Sequence, residues 1–125
     1  MVPDDRKYTP EHEWILIEDG VGTIGVTDFA ASELGDVVFV ELPESGSEFS
    51  QGDTVGTIES VKAVADLFLP VSGEIVEINE AVVDNPEIVN SDPMDEGWLM
   101  KVRLSEPTEI EQLLDAAAYG ELLGG

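Results

Sequence analysis

Apolar residues along this chain fall in short runs broken by glycine, proline and clustered acids, a pattern that predicts strands more often than helices. Residues 14–17 and 21–26 are two β-favouring runs parted by Glu18-Asp-Gly20, which predicts a hairpin closed at a glycine turn. A short helix is expected over residues 28–34. Thr27 can cap it, Asp28 suits its positive end, and Gly35 supplies a left-handed stop. Residues 37–42 are apolar at successive positions, as in a strand buried on both faces, and Pro43 to Gly46 then break the run.

Beyond that break the pattern stays β-like. Gln51-Gly-Asp53 turns into a run over 54–61, Lys62 intervenes, a second run covers 63–69, and Pro70 to Gly73 turn into 74–78, so that 54–69 forms one hairpin. Residues 98–104 are the last strand candidate. Gly35-Asp-Val-Val-Phe-Val40 echoes Gly73-Glu-Ile-Val-Glu-Ile78, a weak repeat that suggests a quasi-symmetric barrel. Asp84-Asn-Pro86 and Ser91-Asp-Pro93 bracket a loop with at most one helical turn. Near 108–120, Thr108 and Glu111 are placed as a capping box, and Ile110, Leu113, Leu114, Ala117 and Ala118 follow helical spacing. The expectation is one mainly β domain over residues 1–125, with an amphipathic C-terminal helix docked on it.

Charge sharpens this picture. The chain has 28 Asp and Glu against 5 Lys and Arg, a net charge of −23, while 42% of its residues are hydrophobic, so the acids form a solvated surface around a real core. Nucleic acid and anionic membranes are poor partners for such a surface, and basic enzyme clefts are better ones. At about 1 M salt the screening length falls to roughly 3 Å, which relieves the self-repulsion and points to a halophilic, salt-accumulating cytoplasm. There are no cysteines, so thiol chemistry must arrive on a cofactor. The N-terminus lacks the basic and apolar segments of a leader, and no apolar stretch approaches membrane-spanning length, so a cytoplasmic protein is expected.

Several motifs lead nowhere. Gly20-Val-Gly-Thr-Ile-Gly25 fits the dinucleotide fingerprint as a string, but the long helix that motif requires is missing, and glycines in a hairpin explain it better. His12 is the only histidine, which excludes multi-histidine metal sites and leaves a structural or surface role as the simpler account. Leu122-Leu-Gly-Gly125 is similar to a modifier's diglycine tail, yet a helix is expected before it where such folds need a strand.

Lys62 is different. It is the one cation between Lys7 and Lys101, and it falls at the expected tip of the 54–69 hairpin. A catalytic Schiff-base lysine needs a desolvated pocket, whereas Glu59 and Asp66 are expected to keep this ammonium charged, so acylation by another enzyme is the better chemistry.

Glu59-Ser-Val-Lys-Ala63, with Asp66 and Pro70-Val-Ser-Gly-Glu74, closely resembles the lipoyl-attachment hairpin of the glycine cleavage system H proteins. His12-Glu-Trp14, Gly25-Val-Thr-Asp28, Gly35-Asp-Val-Val-Phe-Val-Glu-Leu-Pro43, Val89-Asn-Ser-Asp-Pro93 and Gly97-Trp98 match in order and spacing, so the resemblance covers nearly the whole chain. Departures are Met94, where the family often has an aromatic, and the heavier acidity.

The resemblance implies a flattened barrel-sandwich hybrid, the hammerhead of lipoyl and biotinyl carriers. It implies lipoate in amide linkage to Lys62, recognised through Glu59, Ser60, Val61 and Ala63, on a monomeric, non-catalytic carrier with no metal. A pyridoxal-phosphate glycine decarboxylase would load an aminomethyl group, a tetrahydrofolate-dependent aminomethyltransferase would take it, and an FAD- and NAD-linked dihydrolipoyl dehydrogenase would reoxidise the dithiol. A lipoate-attaching enzyme is the fourth partner implied. The loaded arm would fold into a cleft in which Glu13, Asp66 and the less dependable Glu11 face the amine. Competing expectations are a lipoate relay to other complexes, a biotin carrier (whose lysine is usually flanked by methionines, not by Val61 and Ala63) and a lipoyl domain of a 2-oxoacid dehydrogenase.

Overall fold

The computed structural model describes residues 4–124, so Met1-Val-Pro3 and Gly125 of the diglycine tail lie outside it. Strands are β1 (Lys7–Tyr8), β2 (Glu13–Glu18), β3 (Val21–Val26), β4 (Val37–Glu41), β5 (Glu48–Phe49), β6 (Thr54–Ser60), β7 (Val64–Phe68), β8 (Gly73–Ile78) and β9 (Met100–Leu104). Helices are α1 (Asp28–Leu34), α2 (Glu80–Asp84), α3 (Ile88–Ser91) and α4 (Ala116–Leu122), with a 3-10 segment at Pro107–Gln112. Two antiparallel sheets result, one ordered β1-β2-β3-β9-β8-β5 and the other β4-β6-β7. The mainly β, flattened two-sheet architecture is as expected, and the sheets stay separate instead of closing into one barrel. The two glycine-led echo strands, β4 and β8, stand one in each sheet.

One core joins the layers. Ile15, Ile24, Ile75 and Val102 from the larger sheet and Val40, Ile58 and Leu67 from the smaller one belong to the same buried cluster, roughly 2 kcal/mol of burial per large side chain. A second cluster of Tyr8, Trp14 and Tyr119 seats the C-terminal segment, with Met94 and Trp98 against it. Met94, the departure from the family pattern, is therefore part of the packing under α4.

The glycines of the Gly20-to-Gly25 string serve packing. At Gly25 a Cβ would stand 2.6 Å from the Trp14 indole, and at Gly22 one would stand 2.5 Å from Ile15 Cδ1, so a larger residue at either position would force Trp14 or Ile15 to shift. The hairpin pairs Trp14 with Gly25 and Ile15 with Ile24.

Three expectations need correction. The segment near 108–120 is not one helix: Leu114 is drawn out to exchange backbone bonds with Tyr8, N to O at 2.8 Å in each direction, which divides the 3-10 turn from α4. The true cap is Asp115, whose carboxylate accepts from Ala118 N at 2.8 Å, and no side chain caps the turn around Thr108. The β-only stretch after residue 46 is interrupted by α2, capped by Asn79, whereas the single turn of α3 is the one helical turn allowed for between Asp84-Asn-Pro86 and Ser91-Asp-Pro93. Finally, the 37–42 run is not buried on both faces, since Val38 and Phe39 face outward. Among the described residues no helix is long and apolar enough to cross a membrane.

Candidate functional site

Lys62 sits on the exposed turn between β6 and β7. Ser60, buried at the base, holds that turn: its Oγ accepts from Lys62 N at 3.3 Å and Ala63 N at 3.0 Å and donates to Ala63 O at 3.2 Å, while Ser60 N donates to Ala63 O at 2.8 Å. Val61 N donates to Asp36 O at 3.0 Å, tying the turn to the segment after α1. Asn90 fixes that segment in turn, accepting from Val37 N at 2.8 Å and donating to Gly35 O at 2.7 Å. Gly35 has φ +77°, and a Cβ there would lie 3.3 Å from Lys62 Cε, so glycine both ends α1 and leaves room for the lysine stem. The base is rigid and the ammonium is free: no carboxylate among the described residues is ion-paired with Lys62. Neither Glu59 nor Asp66, the neighbouring acids picked out from the sequence, forms an ion pair with it. Glu59 stands in register between Phe39 and Val64, and Asp66 lies further down β7 opposite Thr57.

Beside the turn lies a cleft of about 390 Å³ between α1, the 11–13 segment and β6–β7. Glu11, Glu13 and Asp66 all line it, so the three acids singled out from sequence meet in one place. Phe29, Leu34, Val26, Ile58 and Leu67 make its walls apolar, and His12 and Glu33 add polar groups. The lining nearest to Lys62 in sequence is Ala65 on β7, and Leu34, at the end of α1, directly precedes the Gly35 that stands against the lysine stem.

Glu13 is buried. Its Oε2 accepts from Phe68 N at 2.8 Å and its Oε1 from Thr9 Oγ1 at 3.3 Å, so it bridges β2 and β7. Burial, helped by neighbouring Glu11 and partly offset by the Phe68 N–H and the Thr9 hydroxyl, pushes its carboxyl up to about 8. At neutral pH the side chain is mostly protonated.

His12 has a structural part that the sequence left unspecified. Its backbone has φ +67°, uncommon for a residue with a side chain, and its Nδ1 lies 2.8 Å from Tyr119 Oη. Tyr119 Oη also meets Thr27 Oγ1 at 2.8 Å, and Thr27 caps α1 by accepting from Ala30 N at 3.2 Å. The ring of His12 leans on Phe29 with centroids 4.6 Å apart. A tyrosine on α4 thus fixes two walls of the cleft, and no local spacing could have linked residue 119 to residue 12. Among the described residues no group of His, Asp and Glu is disposed to hold a metal.

A rigid two-sheet scaffold presenting one unpaired lysine on a clamped turn, with an apolar cleft alongside, defines a carrier-type β domain. The model of the glycine cleavage H-protein family matches residues 6–124. Glycine cleavage system H proteins of two Staphylococcus epidermidis strains are each 50% identical over 123 residues, covering 98% of this chain and 98% of theirs. The crystal structure of a glycine cleavage system H protein from Mycobacterium marinum matches with a TM-score of 0.93 at 43% identity, covering 99% of this chain and 100% of that one. The chain belongs to the glycine cleavage H-protein family.

Proposed function

We propose that this protein is the lipoyl carrier of a glycine cleavage system, with lipoate in amide linkage to Lys62. The supporting observation is the turn itself: a solvent-exposed amine without an ion-pair partner, on a base held by Ser60, Asp36 and Asn90. The amide joins Nζ to the carboxyl carbon of an activated lipoyl group, with loss of the activating group and of a proton from the amine. Glu59, Ser60, Val61 and Ala63 are the residues an attaching enzyme meets around Nζ.

When attached, lipoate supplies a disulfide that is reduced as it takes up the aminomethyl group of glycine and is later reoxidised. The chain's residues do the rest. Rigid placement raises the effective concentration of the arm's end at each partner site: the pyridoxal-phosphate decarboxylase, the tetrahydrofolate-dependent aminomethyltransferase and the FAD- and NAD-linked dihydrolipoyl dehydrogenase. The acidic surface favours basic docking faces on these enzymes. The cleft shields the cargo from water, with Asp66 and Glu11 at its polar edge. Glu13, neutral at pH 7, gives its proton to an amine seated beside Oε1 or Oε2 and remains as the paired carboxylate. Reconstitution with the three enzymes tests the proposal: lipoylated wild type supports glycine decarboxylation, and Lys62→Arg does not. Equal turnover by the two would refute it.

A further inference from the structure

The register of β4 against β6 slips beside the attachment turn. Val37 pairs with Ser60 and Phe39 with Glu59, so two residues of β4, Val38 and Phe39, oppose the single Glu59. Strict alternation would have sent Phe39 inward with Val37. The bulge turns it outward instead, and Val40 takes the inward place. Val38 and Phe39 are each 49% exposed, and across Glu59 stands Val64 at 65%, with Val61 at 69% next to Lys62. Of seven large hydrophobic residues exposed among the described residues, these four surround one lysine turn, and the others, Phe29, Val83 and Leu122, lie elsewhere. An apolar strip with exposed acids at Asp36, Glu41 and Glu59 is an unusual surface for a chain of net charge −23.

We propose that the bulged pair Val38–Phe39, together with Val64, is the docking surface for the enzyme that acylates Lys62, a partner with an apolar socket bordered by basic side chains. This rests on Lys62 being the acylated residue. Reach selects the occupant. An enzyme that uses the finished arm can sit an arm's length from the turn, but one that forms the amide must bring its active site to Nζ itself and cover the flanking surface. Asp36 and Glu41 flank the strip and Glu59 stands within it between Phe39 and Val64, so basic side chains on the partner meet these acids while the apolar contacts keep their hold when about 1 M salt screens the charges. The motif around Lys62 supplies Val61 and Val64, but the bulge on the neighbouring strand supplies a second contact that a peptide copy of the hairpin lacks.

The test uses unmodified full-length protein, a lipoate–protein ligase, ATP and lipoate, with acylation followed by intact mass. Val38→Ser/Phe39→Ser and, separately, Val64→Ser should lower kcat/KM by about tenfold, mainly through KM, whereas Val83→Ser on α2 should match wild type. Because these side chains are exposed, melting curves should stay close to wild type; Val64→Ser, on a different strand, serves if the double variant unfolds. Acylation of both variants at the wild-type rate overturns the proposal. So does a result in which acylation is unchanged but the fully lipoylated variants turn over slowly with the decarboxylase, since the strip then serves an arm-using enzyme. If wild type and Lys62→Arg acquire equal lipoyl mass, or neither acquires any, the attachment site itself is wrong, a failure distinct from that of the docking surface.

Discussion

Glu13, one of the acids proposed to face the cargo, also carries a pH-dependent share of stability. Its carboxyl is raised from 4.5 to about 8 by burial, so as pH rises the unfolded chain ionises it first. The stability it contributes is complete below about 4.5, is lost as pH climbs to about 8, and is flat beyond. Glu13→Gln should remove that slope. In denaturant titrations at fixed molar salt it should gain on wild type by about 4 kcal/mol between acid and pH 8, and parallel pH profiles would show that Glu13 is not neutral in the native state. The same variant, unable to leave a carboxylate beside an amine, should release a loaded aminomethyl group faster. At this scale the sequence was partly legible. Lys62 stood out because charge is so one-sided and its motif so specific, whereas the three cleft acids came only from the family resemblance, since nothing local marks them among 28 carboxylates. Asn90, Phe29 and the Tyr119 hydroxyl did not, because their roles depend on contacts between distant segments.

Elements were legible where local chemistry and tertiary demand agree. Thr27, Asp28 and Gly35 mark α1 at both ends, and the structure uses all three signals. They conflict at the C-terminus, where helical spacing runs through 108–120 but Leu114 is worth more as a strand partner for Tyr8, and Asp115 restarts the helix. They conflict again at β4, whose unbroken apolar run conceals a bulge: periodicity cannot show which side an extra residue turns. The element that most depends on one contact is α4, stacked through Tyr119 on Tyr8 with centroids 4.7 Å apart and bonded to His12 and Thr27. Tyr119→Phe keeps the stack and removes both hydrogen bonds. Urea unfolding should show a loss of about 1–2 kcal/mol, and hydrolytic release of cargo should quicken because His12 and α1 lose their common anchor. Unchanged stability and unchanged release would mean that packing alone holds the cleft.

The whole molecule is a neutral core inside a strongly acidic shell. Among the described residues three ion pairs, Arg6–Asp5, Lys101–Glu77 and Arg103–Glu74, offset only a fraction of the carboxylates, and all have an exposed member. We propose that the fold is salt-requiring: raising potassium chloride from about 0.1 M to about 2 M should lift the melting temperature by roughly 10 °C or more. Equal melting temperatures at both concentrations would remove that requirement. The two-sheet scaffold ties the base of the Lys62 turn through Ser60, Asp36 and Asn90 and leaves its amine exposed, with the cleft and the bulged strip close by. The decisive measurement is glycine-dependent carbon dioxide release in a system reconstituted from the decarboxylase, aminomethyltransferase and dehydrogenase. Turnover should require this protein, lipoylated on Lys62, and should vanish for Lys62→Arg carried through the same lipoylation reaction. Turnover supported by the unmodified chain or by Lys62→Arg would contradict the assignment of Lys62 as the carrier's attachment point.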